Sequence, residues 1–470
     1  MVPLPIFISL VVILIAKWVH KWCHPKSNGT LPPGSMGWPL LGETLHFFAS
    51  TTSLDIPPFI RQRMEKYGAI FKTSLVGEGV IVSTDADLNY FIFQKEGVLF
   101  ESWYPYTFTQ IFGTNSLLNL HGSVFKYLKN MVLNLVGPES LMTMLPEVEA
   151  TSNRYLTMWS TQDTVDLKET TAQMIFDLTG KKLISYDSQK SSEDLRGYFE
   201  AFIKGLISFP LNFPGTSFHR CLQGRKKAMK MLKDMLEERR QRPRQTQSDF
   251  FDYVLKEVER KDTMLTEDIA LDLMFVMLFA SYETTSVALT LAIKYLSDHP
   301  SFLQQLTEEH EAIIKRRENP DSGLSWSEYK SMKFTFQIIN ETMRLANIAP
   351  VIFRKALKDI KFKEYIIPAG WAVMVCPPSV HLDPNTYKHP LEFKPSRWEG
   401  VDTHMASRKF MVFGGGLRVC VGADFAKLQM AVFLHCLVTK YKWKAVKGGE
   451  IVRSPGLQFP NGYHINVSQI

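Results

Sequence analysis

One cysteine stands in a glycine-rich loop directly ahead of a helical pattern. The segment reads Phe413-Gly-Gly-Gly-Leu-Arg-Val-Cys420-Val-Gly422. Its three consecutive glycines let the backbone pass close to a flat group. From Ala423 onward apolar residues recur at helical spacing, so Cys420 is expected near a helix N-terminus, where free amide donors favour a thiolate over a thiol. The pattern is typical of a single thiolate presented to a metal ion.

The alternative interpretation is a small buried cysteine that merely follows a glycine turn. The sequence has no other obvious metal site, because it contains no Cys-x-x-Cys or His-Glu-x-x-His pair that could bind zinc. The cysteines are too few and too far apart for a disulfide framework, which indicates a reducing compartment. They are Cys23, Cys221, Cys376, Cys420 and Cys436. Metal chemistry therefore depends on one sulfur.

With Phe413, Arg418 and Gly422 included, the loop resembles the cysteine loop of the cytochrome P-450 superfamily, the haem-thiolate monooxygenases. The family pattern is Phe-x-x-Gly-x-Arg-x-Cys-x-Gly, and every fixed position is filled here. The resemblance implies that Cys420 is the axial ligand of the iron of haem b. It also implies that Arg418 pairs with a haem propionate and that Phe413 and Gly422 belong to the cofactor site.

A long buried helix is predicted from Thr266 to about Leu296. Thr266 supplies a hydroxyl cap, two acidic residues follow in the first turn, and His299-Pro300 ends the pattern. About thirty residues at 1.5 Å each span roughly 45 Å, enough to cross a whole domain. Its centre is apolar on all sides, but Asp272 and Glu283 argue against a lipid environment.

The middle of this helix, Ala280-Ser-Tyr-Glu283-Thr284-Thr285, is similar to the family's oxygen-binding motif. The resemblance implies that Glu283 and Thr284 relay protons during cleavage of the oxygen–oxygen bond. Alternatively, Thr284 hydrogen-bonds a helix carbonyl and Glu283 forms a salt bridge. Ser281 replaces the glycine that is usual in the family, and its hydroxyl is expected to affect substrate fit and proton delivery.

Five further charged residues match the family's pattern. Glu341 and Arg344 lie three residues apart on one helix face, and Arg397 follows in a Pro-Ser-Arg-Trp segment. The resemblance implies that these three form the structural triad that braces the haem side. Arg354 matches an arginine that reaches a haem propionate, and Lys129 occupies the position of a second such arginine, although lysine makes only a point contact. Taken alone, each would be an ordinary surface charge.

Composition and periodicity indicate one large, mainly α-helical domain with small β-sheets, in keeping with the cytochrome P-450 fold. Apolar residues make up 45% and charged residues 21%, which excludes a disordered chain. Helical periodicity dominates from Leu118 to about Pro320. Strands are predicted at Ile70–Val76, at Gly79–Ser83 and between Lys355 and Val375, with a hairpin around Pro455–Gly462.

The N-terminal segment has the composition of a membrane anchor. Residues 2–16 are almost wholly apolar, and Lys17 and Trp18 suit the bilayer interface. A cleaved secretory signal would need a basic start and a small-residue cleavage site. The flanking lysines favour a cytoplasmic catalytic domain, and the resemblance implies an anchor in the membrane of the endoplasmic reticulum. The predicted units are a single-pass anchor at 1–24, a Pro/Gly hinge at 25–38 and a cytochrome P-450 catalytic domain at 39–470.

Aromatic and aliphatic residues at positions that face the substrate in this family predict a large apolar pocket. Ordinary core packing is the alternative for any one of them. The predicted pocket residues are Trp103, Tyr106, Phe108, Phe209, Phe279, Ala280, Ile348, Val351 and Phe459. Such a pocket suits a sterol or a triterpenoid better than a sugar or an amino acid.

Electrons are expected from another protein, because no flavin or nicotinamide fingerprint appears. We expect NADPH-cytochrome P-450 reductase as the partner, and membrane lipid at the anchor. The basic excess of 7 charges fits docking of an acidic reductase, and no nucleic-acid motif is present.

Across nearly the whole chain the sequence also resembles a plant branch of the P-450 superfamily that includes brassinosteroid, abscisic-acid and triterpene oxidases. The segment Pro395-Ser-Arg-Trp-Glu-Gly400 is one example. The resemblance implies oxidation of a sterol or triterpenoid, with sterol side-chain cleavage to pregnenolone as one outcome and hydroxylation of a triterpene or a steroid or terpenoid hormone as the other. The rival interpretations are a haem-thiolate isomerase or dehydratase and a catalytically silent membrane haem protein.

Overall fold

The computed structural model describes residues 4–191, 194–206, 208, 211–242, 249–401, 408–454 and 456–470. Within these ranges the chain is mainly helical. The helices are α1 Leu4–Cys23, α2 Thr44–Phe47, α3 Pro58–Tyr67, α4 Ala86–Gln94, α5 Tyr106–Phe112, α6 Gly122–Val136, α7 Pro138–Ser160, α8 Leu167–Ile184, α9 Leu195–Leu206, α10 Ser217–Gln241, α11 Phe250–Val258, α12 Glu267–Asp298, α13 Pro300–Lys315, α14 Trp326–Ser331, α15 Lys333–Ala346, α16 Pro377–His381 and α17 Ala423–Lys440. Two short 3-10 turns cover Pro395–Trp398 and Gly416–Arg418.

The strands form small sheets beside the helices. They are β1 Ile70–Leu75, β2 Glu78–Ser83, β3 Phe100–Ser102, β4 Val165–Asp166, β5 Ile352–Ala356, β6 Ile360–Phe362, β7 Tyr365–Ile367, β8 Ala372–Val375, β9 Tyr441–Gly448, β10 Val452–Ser454, β11 Gly456–Gln458 and β12 Tyr463–Gln469. The largest sheet has the order β1-β2-β8-β5-β3, and a three-stranded sheet has the order β4-β12-β9. The mainly α class with small sheets is therefore confirmed.

The long helix α12 forms the centre of the molecule. The Thr266 side chain accepts a hydrogen bond from the Ile269 amide at 3.3 Å and caps the helix, as the sequence predicts. The helix continues for 32 residues and ends before Pro300. It packs against α8, α10, α15 and α17, so its apolar faces are covered by protein. Length and composition alone would allow it to cross a membrane, but most of it is buried inside the chain.

The predicted strands near the N-terminus are confirmed as the antiparallel pair β1 and β2, with Ile70 opposite Ser83. Strand β2 then pairs in parallel with β8, which joins this hairpin to the strands near residue 370. On the other edge β5 pairs with β3, so that Ser102 lies opposite Arg354. This last pairing brings the segment after α4 next to a cation that is far away in sequence.

The predicted C-terminal hairpin is only partly confirmed. Strands β10 and β11 do form a two-stranded hairpin, with Arg453 opposite Leu457. However, the chain turns again at Gly462, where φ is 62°, and β12 then joins β9 and β4 in a different sheet. The prediction merged two turns into one because both contain turn residues at short spacing.

The N-terminal helix α1 lies outside this core. Its apolar side chains are exposed, and it is long and apolar enough to cross a membrane. The indole nitrogen of Trp22 donates to the carbonyl oxygens of Met36 and Gly37, each at 3.2 Å, which ties the end of the helix to the segment that follows. These features are consistent with a membrane anchor.

Candidate functional site

A cavity of about 450 Å³ lies between α12 and the loop that precedes α17. Its volume falls within the roughly 300–1,000 Å³ that small-molecule sites occupy. Cys420 and its neighbours form one wall, and residues of α12 form another. Most of the remaining lining is apolar. The lining includes Leu117, Leu118, Val132, Met277, Ala280, Ser281, Thr284, Ile348, Phe413, Cys420 and Phe425.

The cysteine loop is held in place by close backbone contacts. The Cys420 amide donates to the carbonyl oxygen of Phe413 at 2.9 Å, and Gly422 caps α17. Gly416 has a φ of 63°, and a Cβ added there would lie 2.1 Å from the carbonyl oxygen of Phe93. Only glycine allows this approach, so the loop can pack directly onto the end of α4.

The sulfur of Cys420 lies inside the protein, although the residue has accessible surface because it opens into the cavity. Burial raises the pKa of the Cys420 thiol, and the hydrogen bond from the Gly422 amide opposes this effect only in part. The amide donor at the helix N-terminus thus favours the thiolate, as expected, but burial of the sulfur outweighs it. A coordinated metal ion would hold the sulfur deprotonated, since its charge outweighs the desolvation of the thiolate.

Three cations reach one part of the cavity, and a buried carboxylate lies among them. The Nε of Arg418 donates to Glu96 Oε1 at 2.8 Å, and the Nε of Arg354 donates to Glu96 Oε2. The Nζ of Lys129 donates to the carbonyl oxygen of Leu417 at 2.6 Å. All three cations line the cavity. Sequence reasoning found the cations but missed Glu96.

These residues fit a haem. A flat cofactor needs close backbone approach, and Gly414 of the glycine loop lines the cavity with no neighbour nearer than 3.9 Å to a Cβ built on it. The side chain of Arg354 is only 4% exposed, yet its Nη2 donates no hydrogen bond within the described residues. Lys129 has only one hydrogen bond for its three donors there. Open cationic donors beside an apolar cavity suit the propionates of such a group.

On the α12 wall, Thr284 and Glu283 make the contacts that the alternative interpretation of their motif predicts, a helix-carbonyl hydrogen bond and a salt bridge. The Thr284 hydroxyl donates to the Ala280 carbonyl at 3.1 Å, and the Ser281 hydroxyl donates to the Leu278 carbonyl at 3.0 Å. Glu283 forms a salt bridge with Lys168 at 2.8 Å. Thr284 and Ser281 nevertheless line the cavity, whereas Glu283 does not. The motif therefore supplies hydroxyl groups at the wall and an acid behind them.

A sequence profile described as Cytochrome P450 matches residues 32–462, which is most of the chain. The chain belongs to the cytochrome P450 family. The solved structure of a retinoic acid bound cyanobacterial P450 superposes with a TM-score of 0.84 at 27% identity, and the alignment covers 94% of this chain and 100% of that one.

Relatives of this P450 include plant proteins. Cytochrome P450 87A3 of Oryza sativa subsp. japonica is 56% identical, over 96% of this chain and 88% of the relative. Beta-amyrin 16-alpha-hydroxylase of Maesa lanceolata is 42% identical, over 98% of each chain. Cholesterol 22-hydroxylase of Paris polyphylla is 39% identical, over 98% of this chain and 96% of the relative. The chain is a monooxygenase of this hydroxylase type.

The three residues predicted as the structural triad of this P450 lie in contact. Arg344 donates to both oxygens of Glu341, at 2.9 Å and 2.8 Å, and the Nε of Arg397 donates to Glu341 Oε1 at 3.1 Å. The Trp398 indole donates to Glu341 Oε2 at 3.0 Å. Glu341 and Arg344 have fully buried side chains. None of the three charged residues lines the cavity.

A buried histidine connects this triad to the cysteine loop. Arg344 donates to the His381 carbonyl at 2.7 Å. The His381 ring accepts from the Met411 amide at 2.9 Å through Nε2, so its Nδ1 carries the proton and donates to Asn347 at 2.6 Å. Burial, with the charge of Arg344, lowers the pKa of His381 to about 3. Sequence reasoning did not single out His381, whose role depends on contacts with distant segments.

Only some of the predicted pocket residues of this P450 line the cavity. Ala280 and Ile348 line the cavity. Phe108 stacks on Tyr104 at 5.8 Å, and Phe279 meets Phe112 at 5.6 Å, in an aromatic cluster behind the lining. Trp103 packs against Phe353 at a ring distance of 6.1 Å, and Phe459 is partly buried against the core. Tyr106 is 73% exposed, and Val351 lines a separate small cavity of about 20 Å³. Phe209 lies outside the described residues.

Proposed function

We propose that this P450 hydroxylates a triterpenoid or a sterol, using electrons from NADPH that arrive through a reductase. The observation that carries the proposal is the cavity itself, in which Cys420 forms one wall, Ala280 and Thr284 form another, and the remaining lining is largely apolar. The named activities of the beta-amyrin and cholesterol hydroxylases support the same substrate class. A large fused-ring hydrocarbon gains most from burial in such a site.

Haem b would be held by Cys420 at the iron and by Arg354, Arg418 and Lys129 at the propionates. When bound, it supplies the activation of dioxygen, with insertion of one oxygen atom into the substrate and reduction of the other to water by two electrons and two protons. The protein's part is to bind, to orient and to exclude water. Phe413 and Gly422 belong to this site because they fix the conformation of the cysteine loop.

The residues of α12 handle protons in this proposal. Thr284 Oγ1 gives its hydrogen to the Ala280 carbonyl, so its lone pairs are the part of the hydroxyl that remains to accept a hydrogen bond. Glu283 is partly exposed and is paired with Lys168, so it can exchange protons with solvent. Proton transfer from Glu283 to the cavity then requires that the Lys168 contact open.

The N-terminal segment supports a proposal for the location of the protein in the cell, and this location bears on the source of its electrons. We infer an endoplasmic reticulum protein with α1 as a single-pass anchor at residues 1–24, a hinge at 25–38 and a cytoplasmic catalytic domain at 39–470. The exposed apolar surface of α1 supports an anchor. NADPH-cytochrome P-450 reductase on the same membrane face would deliver the electrons.

A ferrous carbon monoxide spectrum tests the haem-thiolate assignment. The wild-type chain is expected to give the red-shifted Soret band of a thiolate ligand, and Cys420→Ser is expected to lose it. Cys436→Ser is the matched control, because Cys436 is buried in the same helix region but does not line the cavity. A red-shifted band that persists in Cys420→Ser would contradict the assignment.

Product analysis tests the substrate class. The chain, co-expressed with a plant reductase, is incubated with NADPH, dioxygen and either beta-amyrin or cholesterol, and the products are identified by mass spectrometry. A product heavier by one oxygen atom supports hydroxylation, whereas pregnenolone from cholesterol supports side-chain cleavage after repeated oxidation. Turnover without NADPH would favour an isomerase or dehydratase, and no product from any sterol or triterpene would favour a silent haem protein.

A further inference from the structure

Glu96 is a buried carboxylate in an unexpected place. It follows α4 by two residues, in the turn that leads to β3, and its side chain is 3% exposed. Both of its oxygens are used: Oε1 accepts from the Ser102 amide at 3.0 Å and from Arg418, and Oε2 accepts from Arg354. A carboxylate this deeply buried is tolerated only where charged partners and hydrogen bonds compensate for lost water.

The contacts with Glu96 decide how the two guanidinium groups are oriented. Each arginine uses its Nε for Glu96, so its terminal nitrogens point elsewhere. Those of Arg418 donate to the carbonyl oxygens of Leu117, at 3.1 Å, and Leu120. Arg354 Nη1 donates to the Phe353 carbonyl at 2.8 Å, and its Nη2 has no partner within the described residues. Glu96 thus fixes both side chains while one donor at the cavity stays open.

Glu96 also adjusts the charge at this part of the cavity. Three cations and one carboxylate carry a net charge of +2, which equals in size the charge of two ionised propionates. Two neighbouring groups add no charge at neutral pH: burial raises the pKa of Tyr104, and burial together with Arg418 lowers the pKa of His121. Without Glu96 the same region would carry +3 in a poorly solvated environment.

We propose that Glu96 is a positioning residue for the haem, which holds Arg354 and Arg418 in place for the propionates and matches their charge. This inference rests on the haem-thiolate function proposed above. Glu96 would not touch the iron or the substrate. It acts through the two arginines, as outer residues around metal sites commonly act through the inner ones.

The test replaces the charge while keeping the shape. Glu96→Gln is expected to release haem to excess apomyoglobin about tenfold faster than the wild-type chain, in line with changes to outer residues at metal sites. Its midpoint reduction potential is expected to shift upward, because the extra positive charge favours the ferrous form. Glu96→Asp restores the charge and is expected to return the potential towards the wild-type value.

Glu101→Gln is the matched control, because Glu101 lies on β3 close by but forms no ion pair with either arginine. Wild-type release rate and potential in Glu96→Gln would overturn the proposal. An equal loss of thermal stability with and without haem, at unchanged potential, would also overturn it by showing a purely structural role. If Glu96→Gln does not fold, Glu96→Asp is measured instead: its shorter side chain cannot hold both arginines alike, so it is expected to release haem faster, and an unchanged release rate would overturn the proposal. Absence of the thiolate band in the wild-type chain would instead mean failure of the proposed function.

Discussion

Two buried carboxylates in this P450 each bind two arginines, and the two groups differ in what completes them. In the closed cluster, formed by Glu341, Arg344 and Arg397, the Arg344 donors end on Glu341 and on the carbonyl oxygens of His381 and Pro390. In the open cluster, formed by Glu96, Arg354 and Arg418, the cations line the cavity and Arg354 Nη2 has no partner within the described residues.

We propose that the same chemistry serves folding in the closed cluster and haem binding in the open cluster. A buried charge with every donor satisfied gives up nothing further to a ligand, so the closed cluster contributes only to the folded state. A cluster with an open donor is under-satisfied until an anion arrives. Substitutions in the closed cluster should therefore change stability in the absence of haem, and those in the open cluster should change haem retention.

The largest expected effect is that of Glu341→Gln. Removing this charge leaves Arg344 fully buried without its anion, and breaking such a pair costs about 3–5 kcal/mol. We expect a marked fall in the denaturant midpoint of the haem-free chain, followed by tryptophan fluorescence. Glu96→Gln should lower this midpoint less. Equal midpoints for the two variants would remove the distinction between the clusters.

Lysine substitutions sharpen the comparison. Arg344→Lys loses the planar fork that contacts two carboxylate oxygens and two carbonyl oxygens, and we expect a loss of about 2–3 kcal/mol as buried acceptors lose their donors. Arg354→Lys should change unfolding of the haem-free chain by less than about 1 kcal/mol, since it loses fewer buried bonds, yet it should speed haem release. The reverse order of effects would contradict the assignment of roles.

Lowering the pH should destabilise the folded chain through three buried histidines, of which His381 contacts Arg344 of the closed cluster. Burial lowers the pKa of His381 and of His310 to about 3 and that of His435 to about 4. Because these imidazoles bind protons more readily when unfolded, stability is full above about pH 6.5 and falls as the pH drops towards 4, by up to about 1.4 kcal/mol per unit for each histidine.

Thermal midpoints of wild type and His381→Asn between pH 7 and pH 5 check this. The variant should be less stable at pH 7 but should lose about a third of the pH dependence, because two of the three buried histidines remain. An unchanged slope would show that His381 does not contribute.

Within the closed cluster the smallest effect is expected for Arg397→Lys, at the edge of the cluster. Arg397 is 11% exposed and contributes one bond to Glu341 and one, at 2.7 Å, to the His389 carbonyl. A lysine can keep one of these, so the cost should be about 0.5–1.5 kcal/mol, the worth of one hydrogen bond. The cost is measured by the same denaturant midpoint. A loss of stability as large as that of Arg344→Lys would mean that Arg397 is as important to the cluster as Arg344.

Much of the site is predictable because its residues are close in sequence. The spacing of Phe413, Arg418 and Cys420 lies within one loop, and the cap and length of α12 are local properties. Glu341 and Arg344 share one helix turn. These patterns specify the cysteine loop, the central helix and the Glu341–Arg344 pair from local sequence, whereas Arg397 is added to that pair only through the resemblance to the P-450 family.

Glu96 could not be found in this way. Its segment, Gln94-Lys-Glu-Gly97, reads as an ordinary polar turn. It becomes buried because β3 pairs with β5, and its partner Arg354 is 258 residues away. Phe108 and Phe279 differ from the prediction for a related reason: composition marks them as apolar, but the rotation of α5 and α12 decides that they pack behind the cavity wall.

The contact between Gly416 and Phe93 has a consequence for the dimensions of the site. Phe93 supports the loop that carries the sulfur, and Glu96, three residues further on in the turn after α4, supports the arginines. The positions of the Cys420 sulfur and of the two arginines therefore both depend on one short stretch of backbone, residues 93–96. A displacement of residues 93–96 would carry both ends of the cofactor site in the same direction, so that the site keeps its length while the surrounding helices move.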